Sequence, residues 1–330
     1  MTDAYPDARP AADDAAAAAD DAAADADDAA ADADAAAARR VRDAVVAGVE
    51  AEVLAASGLH VLVGDAEARH RWVPDERADV WSATKGVSVL AVGIAVDEGL
   101  LTLGTRAVDL LPGAPAGPGT DAVTLEHLLS MTSGVDLEWF AGQPLPGPGD
   151  DLAHSFLARP AAGTGTAFLY SDASTYVATR VLAAVVGDVR DWLVPRLFAP
   201  LGIDEPEWAR CPLGHVLGGS GLRLRTDELA RVGRLLRDRG VHDGRRLVPA
   251  AWIDRMRGPG VRTGGGPPYE RYGLGAWQGP GDRWRLDGHL GQYVVVDDAR
   301  RAVVTITARE EHRDGRLLEL AAAALDALGG

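Results

Sequence analysis

Ser82 and Lys85 stand three residues apart in the segment Trp81-Ser82-Ala83-Thr84-Lys85-Gly86. On a helix this spacing puts both side chains on one face, within reach of each other. The pair is then a hydroxyl nucleophile with an amine beside it that can take or relay its proton. Lys85 is also the only lysine in the chain: of 33 basic residues, the other 32 are arginine. Lysine can lose its proton inside a protein and arginine effectively cannot. A chain that uses arginine everywhere else and keeps lysine here points to a position that needs a compact amine. The simpler reading of Ser82 is a helix N-cap for the apolar stretch that runs from Val87 to Ala95. A capping box, however, wants Glu or Gln where Lys85 stands, and an ammonium there opposes the positive helix end by roughly 0.3–1 kcal/mol. The same field favours the uncharged amine.

A nucleophile of this kind needs an acid/base relay and donors for an oxyanion. Two later segments carry suitable groups: Tyr170-Ser171-Asp172, ahead of an expected helix, and Asp287-Gly288-His289-Leu290-Gly291-Gln292-Tyr293, on an expected strand. Each has a plainer alternative. Tyr170 can be a core tyrosine, Asp172 the N-cap of a helix over 173–186, and His289 a surface histidine beside a turn.

With these segments in order, the chain resembles the serine β-lactamase-related superfamily, which holds class C β-lactamases, DD-peptidases and other penicillin-binding-protein-like enzymes and esterases. Ser82-Ala83-Thr84-Lys85 is similar to its Ser-x-x-Lys motif. Tyr170-Ser171-Asp172 is similar to its Tyr-x-Asn motif with Asp in the last place, and the chain contains no asparagine. His289-Leu290-Gly291 is similar to the His-x-Gly form of its Lys-Thr-Gly motif. Leu128–Gly134, Pro200–Ile203, Gly218–Leu222 and Tyr272–Gly275 follow the family's order, so the resemblance covers about residues 42–310.

The resemblance implies catalytic roles for Ser82, Lys85, Tyr170, Asp172 and His289. It also implies an oxyanion hole from the backbone amides of Ser82 and Gln292, with Leu290 and Gly291 lining the substrate site. Ser82 becomes the acylated residue, and Lys85 or Tyr170 takes its proton. Free lysine and tyrosine titrate near 10.4 and 10, so one of them has to be depressed for work near neutral pH. A helix N-terminus pushes Lys85 down, and a nearby ammonium pushes Tyr170 down. The extra carboxylate of Asp172 tends to keep Lys85 charged, which favours Tyr170 as the base. His289 replaces a lysine that meets substrate carboxylates in many β-lactamases and is only partly charged near pH 7.

The elements that have to position these residues read as helix and strand first, helices in the middle, and a meander last. Helices are expected over 39–56, 82–97, 124–131, 173–186, 189–199, 226–239 and 314–327. Strands are expected at 60–63, 272–277, 283–286, 290–296 and 302–308, with Asp287-Gly288 and Asp297-Asp298 as turns. This predicts an α+β fold: a mostly antiparallel sheet flanked by helices, with a helical subdomain inserted over about 105–225.

Composition bounds the rest. Residues 1–38 hold eleven Asp and one Arg among alanines, with no apolar face, and are expected to form a disordered acidic tail ahead of a hydrolase domain over 39–330. The formal net charge of −16 gives no support for nucleic-acid binding. No run approaches the 18 or so apolar residues that span a membrane. A single cysteine, Cys211, fits a reducing compartment, and the tail lacks the features of a signal peptide, so a cytoplasmic setting is expected. No metal-ligand spacing or phosphate-cradling loop is present. The reading is a cofactor-free serine hydrolase acting on a small ester or amide, as an esterase, amidase or weak β-lactamase. The alternatives are an acyltransferase of the same fold and a non-catalytic scaffold or ligand-binding relative. Oligomeric state and substrate identity are not legible.

Overall fold

A computed structural model of the chain describes residues 10–137 and 151–329. Its centre is an eight-stranded sheet, built from β1 (Ala56–Val63), β2 (Ala66–Arg71), β3 (Val261–Arg262), β4 (Arg271–Tyr272), β5 (Trp277–Gln278), β6 (Trp284–Gly288), β7 (Gln292–Asp297) and β8 (Ala302–Ala308). The order across the sheet is β2-β1-β8-β7-β6-β5-β4-β3, and every pairing is antiparallel.

Strand side chains alternate between faces, and β7 shows what that does here. Tyr293 and Val295 enter a core under α1 (Pro10–Glu52) and the C-terminal helix Asp314–Asp326. Val294 and Val296 enter the larger core on the opposite face. A strand buried on both faces is apolar at nearly every position, which is why residues 293–296 and 302–304 read as continuous hydrophobic runs. The larger core also holds α2 (Thr84–Asp97), buried from Thr84 to Ala95 and apolar there except for Thr84, Lys85 and Ser88. Against it pack α3 (Asp172–Val186), the short helices Leu125–Leu129 and Leu152–Leu157, and α4 (Thr226–Arg237). The expected α+β architecture with a helical block between β2 and β3 is the architecture observed.

Several local expectations are corrected. Asp287 and Gly288 are the last residues of β6, not a turn; the reversal is His289–Gly291, where Leu290 and Gly291 take φ of 64° and 91°. The stretch 272–277 is not one strand but the adjoining ends of β4 and β5. The helix expected over 189–199 runs as a regular helix only to Leu193 and continues through Val194–Phe198 as a wider π turn. The strand β2 and the helices Leu152–Leu157 and Ala250–Arg257 were not anticipated.

The acidic N-terminal segment differs most. Expected to lack order, it is helical from Pro10 and continuous with the helix expected at 39, which ends at Glu52. Alanine supplies the helix propensity, and the last turn before residue 39 has something to pack on. Ala37 and Ala38 are buried with Val41 and Val45, and Asp34 lies over the glycine at position 64, where a Cβ would meet its carboxylate. Residues 27–33 are exposed. The body therefore begins near residue 34, not 39. Removing residues 1–33 is expected to leave the thermal midpoint unchanged. Removing residues 1–38 is expected to lower it by a few degrees, since about 1 kcal/mol moves a domain of this size by roughly 2–4 °C. Differential scanning calorimetry of the two truncations decides the boundary, and equal midpoints would place it at residue 39 after all.

Candidate active site

The backbone just before Ser82 is held in an unusual conformation. Trp81 takes φ +49°, a left-handed geometry seldom adopted by a large side chain. Asp79 fixes it: its Oδ1 accepts from the Trp81 N–H at 2.7 Å and from the Gly221 N–H at 3.1 Å. A single carboxylate thus ties the entry to α2 to the glycine-rich stretch 218–222. Ser82 sits in a tight turn over Trp81–Ala83, and α2 begins at Thr84 with Ala83 as its N-cap. The capping reading of Ser82 is therefore wrong, and its hydroxyl is left for other partners.

That partner is Lys85, one turn on, whose Nζ donates to Ser82 Oγ at 2.8 Å. Lys85 is 1% exposed, and its other contacts are the Asp172 carboxylate, in a short ion pair, and the Gly219 carbonyl at 3.0 Å. An ammonium has three N–H donors, and here each has an acceptor. The Gly219 contact needs glycine, because a Cβ at that position would lie 2.9 Å from the Asp172 Cα. Asp172 is the first residue of α3, not its N-cap. Ser171 fills that place, accepting from the Ala173 N–H at 3.1 Å. With the capping done by its neighbour, the Asp172 side chain is free to pair with Lys85.

Tyr170 completes the cluster. Its hydroxyl faces Ser82 and Lys85, both of which act to lower its pKa, and the Lys85 Nζ lies 4.8 Å from its ring centre. The ring is held in an aromatic packet, stacked on Trp277 at 5.5 Å and edge-on to Tyr272 at 5.7 Å. The electrostatics correct one expectation. Burial lowers the Lys85 pKa, but the charges of Tyr170 and Asp172 outweigh it and hold the ammonium above the ordinary lysine value. Burial likewise raises Tyr170, and the ammonium offsets this only in part. Neither group is depressed: burial and then Asp172 hold the proton on Tyr170, and Tyr170 and Asp172 together hold it on Lys85.

Ser82, Tyr170, Asp172 and His289 line one cleft of about 450 Å³, with Trp81, Ser220, Tyr269, Trp277, Asp287 and Asp314. His289 is exposed on the β6–β7 turn and meets the Trp81 ring edge-on at 5.2 Å. The structure does not bring Leu290, Gly291 or the Gln292 side chain to this cleft. Leu290 lines a separate groove with Arg223 and Arg309. Gly291 is favoured by its own backbone, which takes φ +91°, and a Cβ there would also crowd the Leu317 side chain at 2.6 Å. The Gln292 side chain braces the turn by donating to the His289 carbonyl at 3.3 Å and the Ala308 carbonyl at 2.6 Å.

The family model for beta-lactamases matches residues 27–329. The chain belongs to the beta-lactamase family. It is 27% identical over 213 residues to the 6-aminohexanoate-dimer hydrolase of Paenarthrobacter ureafaciens, a match that covers 59% of this chain and 54% of that enzyme. The chain thus spans about half the length of that relative. Among solved structures, SurE superposes with a TM-score of 0.73 at 23% identity, over 90% of this chain and 77% of SurE. A penicillin-binding protein homologue from Caulobacter crescentus superposes at 0.67 and 19% identity, over 87% of this chain and 97% of that one. These likenesses are of fold. No helix of the described residues is long and apolar enough to cross a membrane.

Reading the sequence passed over Asp79, Trp277, Tyr269 and Asp314. Trp277 and Tyr269 lie near the recognised Tyr272–Gly275 segment, which was a usable signal. Asp79 and Asp314 lie outside every motif, and only the fold brings them in.

Breaking the buried Lys85–Asp172 pair on one side is expected to be costly, because an unpaired buried charge remains. Asp172→Ala should lose about 3–5 kcal/mol in urea unfolding, while the double variant Lys85→Met/Asp172→Ala should recover much of that loss. An Asp172→Ala protein within about 1 kcal/mol of the parent would mean that the pair is not buried as described.

Proposed function

We propose that the protein is a cofactor-free serine hydrolase that forms an acyl-enzyme on Ser82 and acts on a small ester or amide. The observation that carries the reading is the contact set of Lys85: one buried amine, three acceptors, and Ser82 Oγ among them. A structural ion pair does not need a serine hydroxyl that opens into a cleft. The named relative, a dimer hydrolase, supports hydrolysis as the reaction.

Lys85 is saturated with acceptors and held as an ammonium, so it offers Ser82 no lone pair. Tyr170 is the other proton-accepting group that faces Ser82 in the cleft, and its ionised form is the general base. Ser82 Oγ attacks the carbonyl carbon as its proton passes to the Tyr170 oxygen. The tetrahedral oxyanion is received by backbone N–H groups at the mouth of the cleft. Ser82 supplies one. For the second, the geometry favours the His289 amide over that of Gln292: His289 lines the cleft, and its N–H has no partner among the described residues, whereas Gln292 lies within the β6–β7 ladder. Collapse of the intermediate releases an alcohol or amine that takes the proton from Tyr170. Water then attacks the acyl-enzyme as Tyr170 accepts its proton, and when the Ser82 Oγ–carbonyl bond breaks that proton passes to Ser82 Oγ, so the acid leaves and the tyrosinate is restored.

Because the resting proton inventory is an ammonium and a phenol, the active form appears as pH rises. Asp172 raises the pKa of both Lys85 and Tyr170. Removing its charge therefore lowers both, and the alkaline limb must move to lower pH whichever of the two titrates. Inactivation by a fluorophosphonate, followed against pH with the adduct located by mass spectrometry, tests chemistry and sign together. The expected adduct is on Ser82, the rate should climb through alkaline pH, and Asp172→Asn should shift the climb downward in pH. An adduct on Ser220, the other serine of the cleft, or a shift to higher pH would contradict the reading.

A further inference from the structure

The cleft that holds Ser82 has a second end with its own electrostatics. Lys85 is taken up by Asp172. Asp287, at the end of β6, accepts from Arg285 Nε at 3.0 Å, and the Arg285 guanidinium lies wholly buried beneath the Tyr269 ring, 4.6 Å from its centre. Asp314 is different. It is the first residue of the C-terminal helix, accepts from the Gly315 N–H at 2.9 Å, and pairs with no cation among the described residues. Among the described residues that line this space, the one basic side chain is His289. Behind these carboxylates lies Tyr293, 0% exposed, whose hydroxyl has Tyr269, Asp287 and Asp314 for neighbours and makes no hydrogen bond of normal geometry. A buried hydroxyl left unpaired is unfavourable, and this one has three residues of the cleft wall for neighbours, where a polar guest would relieve it. Tyr269 and Trp277 stand edge to face at 4.9 Å in the adjoining wall. Aromatic faces beside the Asp314 carboxylate, which no cation of the described residues neutralises, attract cations and do nothing for anions.

We propose that this end of the cleft is an ammonium subsite, so that the substrates are esters or amides carrying a cationic amine, which Asp314 and Asp287 hold beside Tyr269 and Trp277. The proposal rests on the reading of Ser82 as the acylated residue. It also excludes a class of substrate: a molecule with a carboxylate placed near this end meets like charge from Asp287 and Asp314, where a lysine in the place of His289 would have met it with opposite charge.

The test uses the full-length chain at low ionic strength and two p-nitrophenyl esters of equal shape, 4-(trimethylammonio)butanoate and its carbon isostere 5,5-dimethylhexanoate. Each kcat/KM is divided by the ester's spontaneous hydrolysis rate, which removes differences in intrinsic reactivity. The charged ester is expected to be favoured about tenfold or more, and added salt should shrink the ratio. Within each variant the ratio is compared, so general loss of activity cancels. Asp314→Asn should bring the ratio several-fold towards one, and Asp287→Asn should do the same. Should Asp287→Asn fail to fold because Arg285 loses its partner, the partly exposed Asp314→Asn decides alone. A ratio at or below one in the parent, or a ratio that Asp314→Asn leaves unchanged, overturns the subsite while leaving the hydrolase reading intact. Failure to turn over either ester, with no adduct on Ser82, brings down both.

Discussion

The site depends on one buried ion pair. Lys85 on α2 and Asp172 at the start of α3 are both withdrawn from solvent, and the charge of each is tolerable only because the other is there. Removing two ions from water is expensive, so such a pair is poor evidence that a protein gains stability from it. It is better evidence that the arrangement is kept for what it does. Here it locks three chain segments into one register: the Ser82 turn, the N-terminus of α3 and the glycine stretch whose carbonyl at Gly219 takes the third lysine proton. Elsewhere the chain makes its ion pairs with arginine. A guanidinium could not replace this lysine, because its planar fork would have to fit where a compact ammonium meets three acceptors around one atom.

The surrounding fold serves that point contact. α2 is buried on all sides, so it cannot rotate or slide without disrupting the larger core. Asp79 holds the Trp81 and Gly221 amides together, which fixes the left-handed backbone at Trp81 and aims the next residue into the cleft. Local strain of this kind persists only where several partners over-determine it. The sheet contributes the opposite wall: β6 ends beside the Ser82 turn, and the Gln292 side chain braces the loop that carries His289.

Most of the reaction centre was legible because it is local. Ser82 and Lys85 are three residues apart, Tyr170 and Asp172 two, and the short-range rules of helix faces and helix starts apply to each pair. The architecture was legible for a related reason, since strands buried on both faces leave unbroken apolar runs such as residues 293–296. What escaped was set by distant packing. Ser171 rather than Asp172 caps α3 because Lys85, 87 positions away, claims the carboxylate. Gly291 reads as a glycine kept for a ligand, yet the tight turn holds it at φ +91° and Leu317 crowds the place of a side chain. The helical acidic segment escaped because its packing partners lie on strands and a helix far along the chain. Of the two loops expected to shape the acyl pocket, around 136–150 and 257–270, the first lies outside the described residues from 138 onward.

The central claim is that Lys85 is a permanent ammonium at working pH and that proton transfer falls to its neighbour. Being the only lysine, it allows a direct reading: protein labelled with 13C at the lysine ε-carbon gives one side-chain methylene signal. Followed by NMR from pH 6 upwards, that signal is expected to keep its ammonium shift past the ordinary lysine pKa of about 10.4. In Asp172→Asn it should titrate earlier. A midpoint near neutral pH in the parent protein would mean that Lys85 rests as a free amine, and would return the role of base from Tyr170 to Lys85.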